Sequence, residues 1–173
     1  VYMFDNQTEK FIDILGSVAE TMITNNYADH IYTLSKGISW ITFQNECAAI
    51  RIDDQLCKQG KGITLYSSFK QNLKGDKIYT VFEDSEGDEW ILTNKGISII
   101  GKKQVDSDFP FQYIKEADGI IYLVSQSDKL ASYNFKTRQF KFIEIPYHVS
   151  MINEVKKFDS NTLLLATDNG LII

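Results

Sequence analysis

Eight residues of this chain are of types that suit reversible binding of a polar ligand: Tyr27, Asp29, His30, Asp76, Lys77, Gln112, Tyr147 and His148. Tyrosine rings offer flat apolar faces, and the acids, amide, imidazoles and ammonium offer directed hydrogen bonds. A sugar needs that mixture in a concave site. Bond-making chemistry has thinner support. Asp29 and Asp76 are the acids of these segments, whereas a glycosidase or lyase would need several convergent carboxylates. No Gly-x-Ser-x-Gly elbow and no HExxH pair occurs, and His30 and His148 are the only histidines. Lys61-Gly62-Ile63-Thr64 lacks the upstream glycine spacing of a phosphate loop.

Metal chemistry is not expected either. Cys47 and Cys57 are scattered, without a CxxC or a nearby histidine. Cys47 reads as a small buried hydrophobe, with a disulfide to Cys57 as the alternative. The acidic run Glu83, Asp84, Glu86, Asp88 and Glu89 does not follow the Asp-x-Asp-x-Asp-Gly spacing of calcium loops. It reads as a turn bearing solvated charge. No metal and no cofactor is called for, and the expectation is a segment without catalysis.

The elements that position these residues recur. Anchors at Trp40, Trp90, Tyr122 and Leu164 are separated by 50, 32 and 42 residues. A period of that length built from short strands predicts a β-propeller of about four blades, each a four-stranded antiparallel sheet. First strands are expected at Ile31–Leu34, Ile78–Val81, Tyr113–Lys115 and Ile152–Val155. A turn follows each, best spelled Asp84-Ser85-Glu86-Gly87, where Asp bonds the turn backbone and Gly87 accepts positive φ. Asp84 and Gly87 are therefore expected to shape a turn, and Trp40 and Trp90 to pack between blades. Third strands are expected from Cys47, Ile97, Leu130 and Leu171. Tyr133 to Phe140 aligns without a gap to Phe4 to Phe11, both reading as hairpins between strands three and four. Residues 11–22 admit a short helix, but Gly16 and the β-branched residues weaken it, and the whole chain reads as all-β.

In this frame the eight candidates precede first strands and line one mouth of a central channel. The chain forms one propeller segment over 1–173. Its blade pieces are 1–16 (outer strands), 27–70, 78–105, 111–145 and 151–173. The N-terminal and C-terminal strands could complete one blade together. A small ring, a ring shared by two chains and an ordered piece of a larger propeller are all compatible with this pattern, and the last is the expectation.

Composition narrows the partners. The 173 residues carry a formal charge of −5 with no Lys/Arg run, which disfavours nucleic acid. No apolar run approaches the ~20 residues of a membrane span, so no membrane contact is expected of this segment. Eleven Phe, nine Tyr and two Trp favour strands.

At Glu83-Asp84-Ser85…Gly87…Trp90-Ile91…Thr93…Gly96-Ile97 the chain resembles the two-component regulator propeller repeat. Each blade of that family carries an acidic-Asp-Ser-x-Gly turn, then Trp-Ile-Gly-Thr, Gly-Leu and a Tyr-Asn/Asp…Thr…Phe hairpin. Leu92 stands in place of the usual Gly, and Leu164 in place of Trp. The third copy keeps Tyr133-Asn134 to Phe140, and the first keeps Gly37, Trp40 and Ile41. The resemblance implies a periplasmic sensor region of a hybrid two-component system histidine kinase anchored in the inner membrane. It further implies carbohydrate sensing, of oligosaccharides released from glycans, with the kinase chemistry elsewhere in the parent protein. Neighbouring blades or domains, an oligosaccharide and a second copy are the implied partners. A protein-interaction propeller and a propeller glycosidase or lyase remain the alternatives.

Overall fold

The computed structural model describes residues 2–13, 27–43, 48–57, 61–67, 73, 75, 77–101, 110–125, 128–134, 137 and 139–173. Among them the chain runs as a two-stranded ribbon followed by four antiparallel sheets in chain order. The ribbon is β1 (Tyr2–Asp5) and β2 (Lys10–Asp13). The first sheet is β3 (Ala28–Thr33), β4 (Ile38–Phe43), β5 (Ala48–Asp53) and β6 (Ile63–Ser67). The second is β7 (Ile78–Glu83), β8 (Glu89–Thr93) and β9 (Gly96–Ile99). The third is β10 (Phe111–Ala117), β11 (Ile120–Ser125), β12 (Leu130–Asn134) and β13 (Gln139–Ile143). The fourth is β14 (Ile152–Lys157), β15 (Leu163–Thr167) and β16 (Gly170–Ile172). Among the described residues helix is confined to a 3-10 turn at Ser35–Gly37 and one α-turn, α1 (Asp54–Cys57). The all-β expectation holds, and α1 occupies what the sequence presents as a long polar loop.

Successive sheets pack face to face, so their second strands are apolar on both sides. Trp90 and Leu92 face forward onto Phe111, Ile114 and Tyr133 of the third sheet. Ile91, between them, faces back onto Trp40 and Ala49 of the first. Tyr122 and Val124 repeat the forward role against Ile152, Val155 and Leu165 of the fourth. Strand side chains alternate faces, and here both faces are core.

Register corrects several sequence expectations. The first strands of sheets one and three begin earlier than expected, at Ala28 and Phe111. Ala49, not Cys47, lies opposite Thr42, the place that Ile97 holds opposite Leu92. Cys47 itself lies outside the described residues, as do Asp76 and residues 14–22 of the possible helix. The terminal strands do not join, because β1–β2 and β14–β15–β16 are separate sheets. The hairpin alignment does hold. Phe4 pairs with Phe11 as Tyr133 pairs with Phe140, and their rings lie 5.1 and 4.9 Å apart.

Candidate functional site

All four first strands break register at the same place. The irregularity falls between Ala28 and His30, Ile78 and Thr80, Phe111 and Tyr113, and Ile152 and Glu154. Asp29, Tyr79, Gln112 and Asn153 are thus four equivalent bulge residues at one edge of the stack. A bulge inserts a residue without a ladder partner and re-aims its side chain, a device common beside binding sites.

This changes the placement of the sequence candidates. Asp29 and His30 lie within β3, and Gln112 within β10, rather than before those strands. Lys77, Tyr147 and His148 do precede their strands. His30 Nδ1 stands 3.3 Å from Asp29 Oδ2, and its ring stacks on Tyr32 at 5.9 Å. The Lys77 ammonium sits 5.6 Å over the Tyr79 ring. Tyr27 and Tyr147 are exposed. Tyr147 lines a groove of about 420 Å³ with Phe142, Lys129, Asp128, Glu144 and Val149. The structure thus joins Asp29 with His30, and Lys77 with the unanticipated Tyr79, while Tyr147 faces a separate groove.

The segments leading into β7 and β14 are held by the turns after β8 and β15. The Lys77 amide donates to Asn94 Oδ1 at 3.1 Å. At the equivalent place the Ser150 and Met151 amides donate to Asp168 Oδ1 at 3.1 and 3.2 Å. Asn169 Nδ2 donates to the His148 carbonyl at 2.9 Å. Burial pushes the Asp168 carboxyl up, but the Met151 and Ser150 donors outweigh it and hold it below its ordinary value. Thr93 and Thr167 build these turns by donating to the Gly96 and Gly170 carbonyls at 3.0 and 2.9 Å. Sequence reasoning missed Asn94 and Asp168, although both follow the threonine of the repeated Thr-x-x-Gly.

The opposite edge is structural. Asp84 is buried and caps its turn: Oδ1 accepts from the amides of Glu86 and Asp88 at 3.0 and 2.8 Å, and Oδ2 accepts from Trp90 Nε1 at 2.7 Å. Gly87, at φ 83°, closes it by donating to the Asp84 carbonyl at 2.9 Å. Trp40 Nε1 instead donates to Glu89 Oε2 of the next sheet at 2.6 Å, and Arg51 grips the same carboxylate through Nε and Nη2, the latter at 2.7 Å.

Each turn is also held by the following sheet. The Ser35 amide and hydroxyl donate to Glu83, and those of Ser85 to Glu116, the two amide contacts each being 2.6 Å. At the third junction Lys157 Nζ meets Asp118 at 2.9 Å. Register puts Asp159, rather than Ser160, at the place of Ser85, and its carboxylate accepts from Asn161 N and Thr162 Oγ1.

Among the described residues no cluster of three or more His, Cys, Asp or Glu could hold a metal. Cys57 is a free thiol whose pKa burial raises. No helix among these residues is long and apolar enough to cross a membrane.

No protein-family model and no curated protein matches the chain. Solved structures do. Extracellular domains of two hybrid two component systems from B. thetaiotaomicron match at TM-scores of 0.60 and 0.61, with 19% and 20% identity. The matches cover 99% and 98% of this chain and 22% and 25% of theirs. Virginiamycin B lyase from Staphylococcus aureus matches at 0.54 and 19% identity, over 86% of this chain and 55% of the lyase. The chain therefore has a propeller-like fold, shared with extracellular domains of hybrid two component systems, and spans about a quarter of their length.

Proposed function

We propose that the chain is a run of propeller blades from the periplasmic sensing region of a hybrid two-component signalling protein, without catalysis of its own. Its blade pieces are 1–16, 27–70, 78–105, 111–145 and 151–173, one segment over 1–173. The observation that carries this is the likeness of fold, over nearly the whole chain, to extracellular domains of such systems. The ligand is an oligosaccharide derived from glycans, held at the bulged edge. Tyr27 supplies a stacking face at that edge and Tyr147 one in its own groove, and Asp29, His30, Asp76, Lys77, Gln112 and His148 supply hydrogen bonds. Binding shifts a conformational or dimer equilibrium, which transmits the signal.

Calorimetry of the purified chain against a panel of neutral and acidic oligosaccharides tests this. The expected result is saturable binding that the double substitution Tyr27→Ala, His148→Ala weakens at least ~10-fold, about 1.4 kcal/mol. Binding that survives the double substitution would move the site off this edge. No binding across the panel would favour a propeller that recognises protein partners, since exposed tyrosines also serve such contacts.

A further inference from the structure

The second sheet, packed between the first and third, differs from its neighbours at the bulged edge. Two positions before each bulge residue stands the residue that leads the chain into it: Tyr27 before Asp29, Lys77 before Tyr79, Pro110 before Gln112 and Met151 before Asn153. Of these four pairs, Lys77 with Tyr79 alone sets a cation beside an aromatic ring, the ammonium lying 5.6 Å from the ring centroid. A ring face attracts an ammonium through its quadrupole but carries no formal charge, so it fixes the cation without neutralising it. Among the described residues no carboxylate pairs with this ammonium. The acids along the same edge are engaged elsewhere. Asp29 faces His30 Nδ1 at 3.3 Å, Asp128 faces Lys129 Nζ at 3.5 Å, and Asp168 accepts from the Ser150 and Met151 amides.

The backbone beneath the pair is clamped on both sides. The Lys77 amide donates to Asn94 Oδ1 at 3.1 Å, and its carbonyl accepts from the Asn94 amide at 3.0 Å. Gly75 lies so close to that turn that an added Cβ would stand 2.4 Å from Asn94 Oδ1 and 2.8 Å from Thr93 Oγ1. The Tyr79 carbonyl accepts from the Tyr32 hydroxyl of the first sheet at 3.3 Å. A donor fixed before its ligand arrives loses less freedom on binding. We propose that Lys77 and Tyr79 form the subsite that reads charge: Lys77 Nζ takes a carboxylate or sulfate group of the ligand, and the Tyr79 ring positions Lys77 for it. An ammonium offers three donors and no acceptor, so an oxyanion is the group that it favours. This rests on the saccharide reading above and narrows it to acidic saccharides. Tyr27, at the equivalent place in the first sheet and 77% exposed, offers the neighbouring sugar ring a stacking face.

Calorimetry in about 20 mM salt is the test, because higher ionic strength screens an exposed charge. The probes are glucuronate-containing disaccharides, sulfated disaccharides, and the same compounds with the carboxyl reduced to the alcohol or the sulfate removed. In at least one series the charged member should bind ~10-fold or more tighter than its neutral counterpart. Lys77→Met should make the two equal, and Lys77→Arg should keep the preference. Tyr79→Leu should reduce the preference, whereas Tyr79→Phe, which keeps the ring, should retain it. Circular dichroism melts check that each variant is folded. Charged and neutral members bound equally by the parent chain, or a preference that Lys77→Met leaves intact, would overturn the inference and leave the saccharide reading standing. No binding by any probe would remove both.

Discussion

Trp90 and Asp84 are joined by a 2.7 Å hydrogen bond from the indole nitrogen to a carboxylate oxygen, with both residues buried. The same carboxylate caps the turn that leads into β8, so a single side chain fixes both the turn and the tryptophan that fills the junction with the third sheet. Asp84→Ala should remove the carboxylate that accepts from the indole N–H and two turn amides. A buried unsatisfied donor costs about 1–3 kcal/mol. Urea unfolding should show a lower midpoint at unchanged slope, and an unmoved midpoint would refute the role.

Glu89 ties Trp40 and Arg51 of the first sheet to the second. Both ends of the Arg51–Glu89 pair are largely buried. Glu89→Ala should therefore cost about 3 kcal/mol, the order for stranding one partner of such a pair. Replacing both, as Arg51→Met with Glu89→Leu, should recover part of that loss, because no unpaired charge remains. A double variant less stable than Glu89→Ala would contradict this account.

The Ser35 hydroxyl and amide hold the Glu83 carboxyl below its ordinary value of 4.5. A depressed folded-state pKa contributes stability that is fully present above the ordinary value and is lost as pH falls through the folded one. Ser35→Ala removes the larger cause. The gap in melting temperature between the parent and Ser35→Ala should be constant above about pH 6 and should shrink below 4.5. A gap that widens in acid would reverse the sign. The pair is exposed, so the effect should be small.

Gly62 sits against α1. A Cβ added there would lie 2.3 Å from both the Cys57 amide nitrogen and Sγ, and 2.4 Å from the Asp53 carbonyl. Backbone would have to move. Gly62→Ala should destabilise by about 1–3 kcal/mol and speed reaction of Cys57 with a thiol reagent. An unchanged rate would mean that α1 absorbs the methyl.

The repeat was legible because its anchors are large. Trp90, Tyr122, the Asp84–Gly87 turn and the paired aromatics Phe4–Phe11 and Tyr133–Phe140 stand out by residue type, and the sheets formed around them. The beginnings of the first strands did not stand out. A bulge at Asp29 or Gln112 breaks the two-residue alternation that marks a strand, so β3 and β10 looked shorter than they are. The offset from Cys47 to Ala49 has a similar cause: connection length costs little, so hydrophobic pattern alone does not set it. Asn94 and Asp168 escaped notice because their partners are backbone amides, which have no letter in the sequence.

The ties between successive turns differ in kind along the row, and ionic strength should act on them unequally. Serine to glutamate links the first two junctions, whereas Lys157 to Asp118 and Lys115 to Glu154 link the third. Concentrated salt screens exposed ion pairs far more than hydrogen bonds from a neutral hydroxyl. A saline medium would therefore weaken the polar tie at the last joint more than those at the first two, while the apolar packing of Tyr122 and Val124 on Val155 and Leu165 keeps the fourth sheet in place.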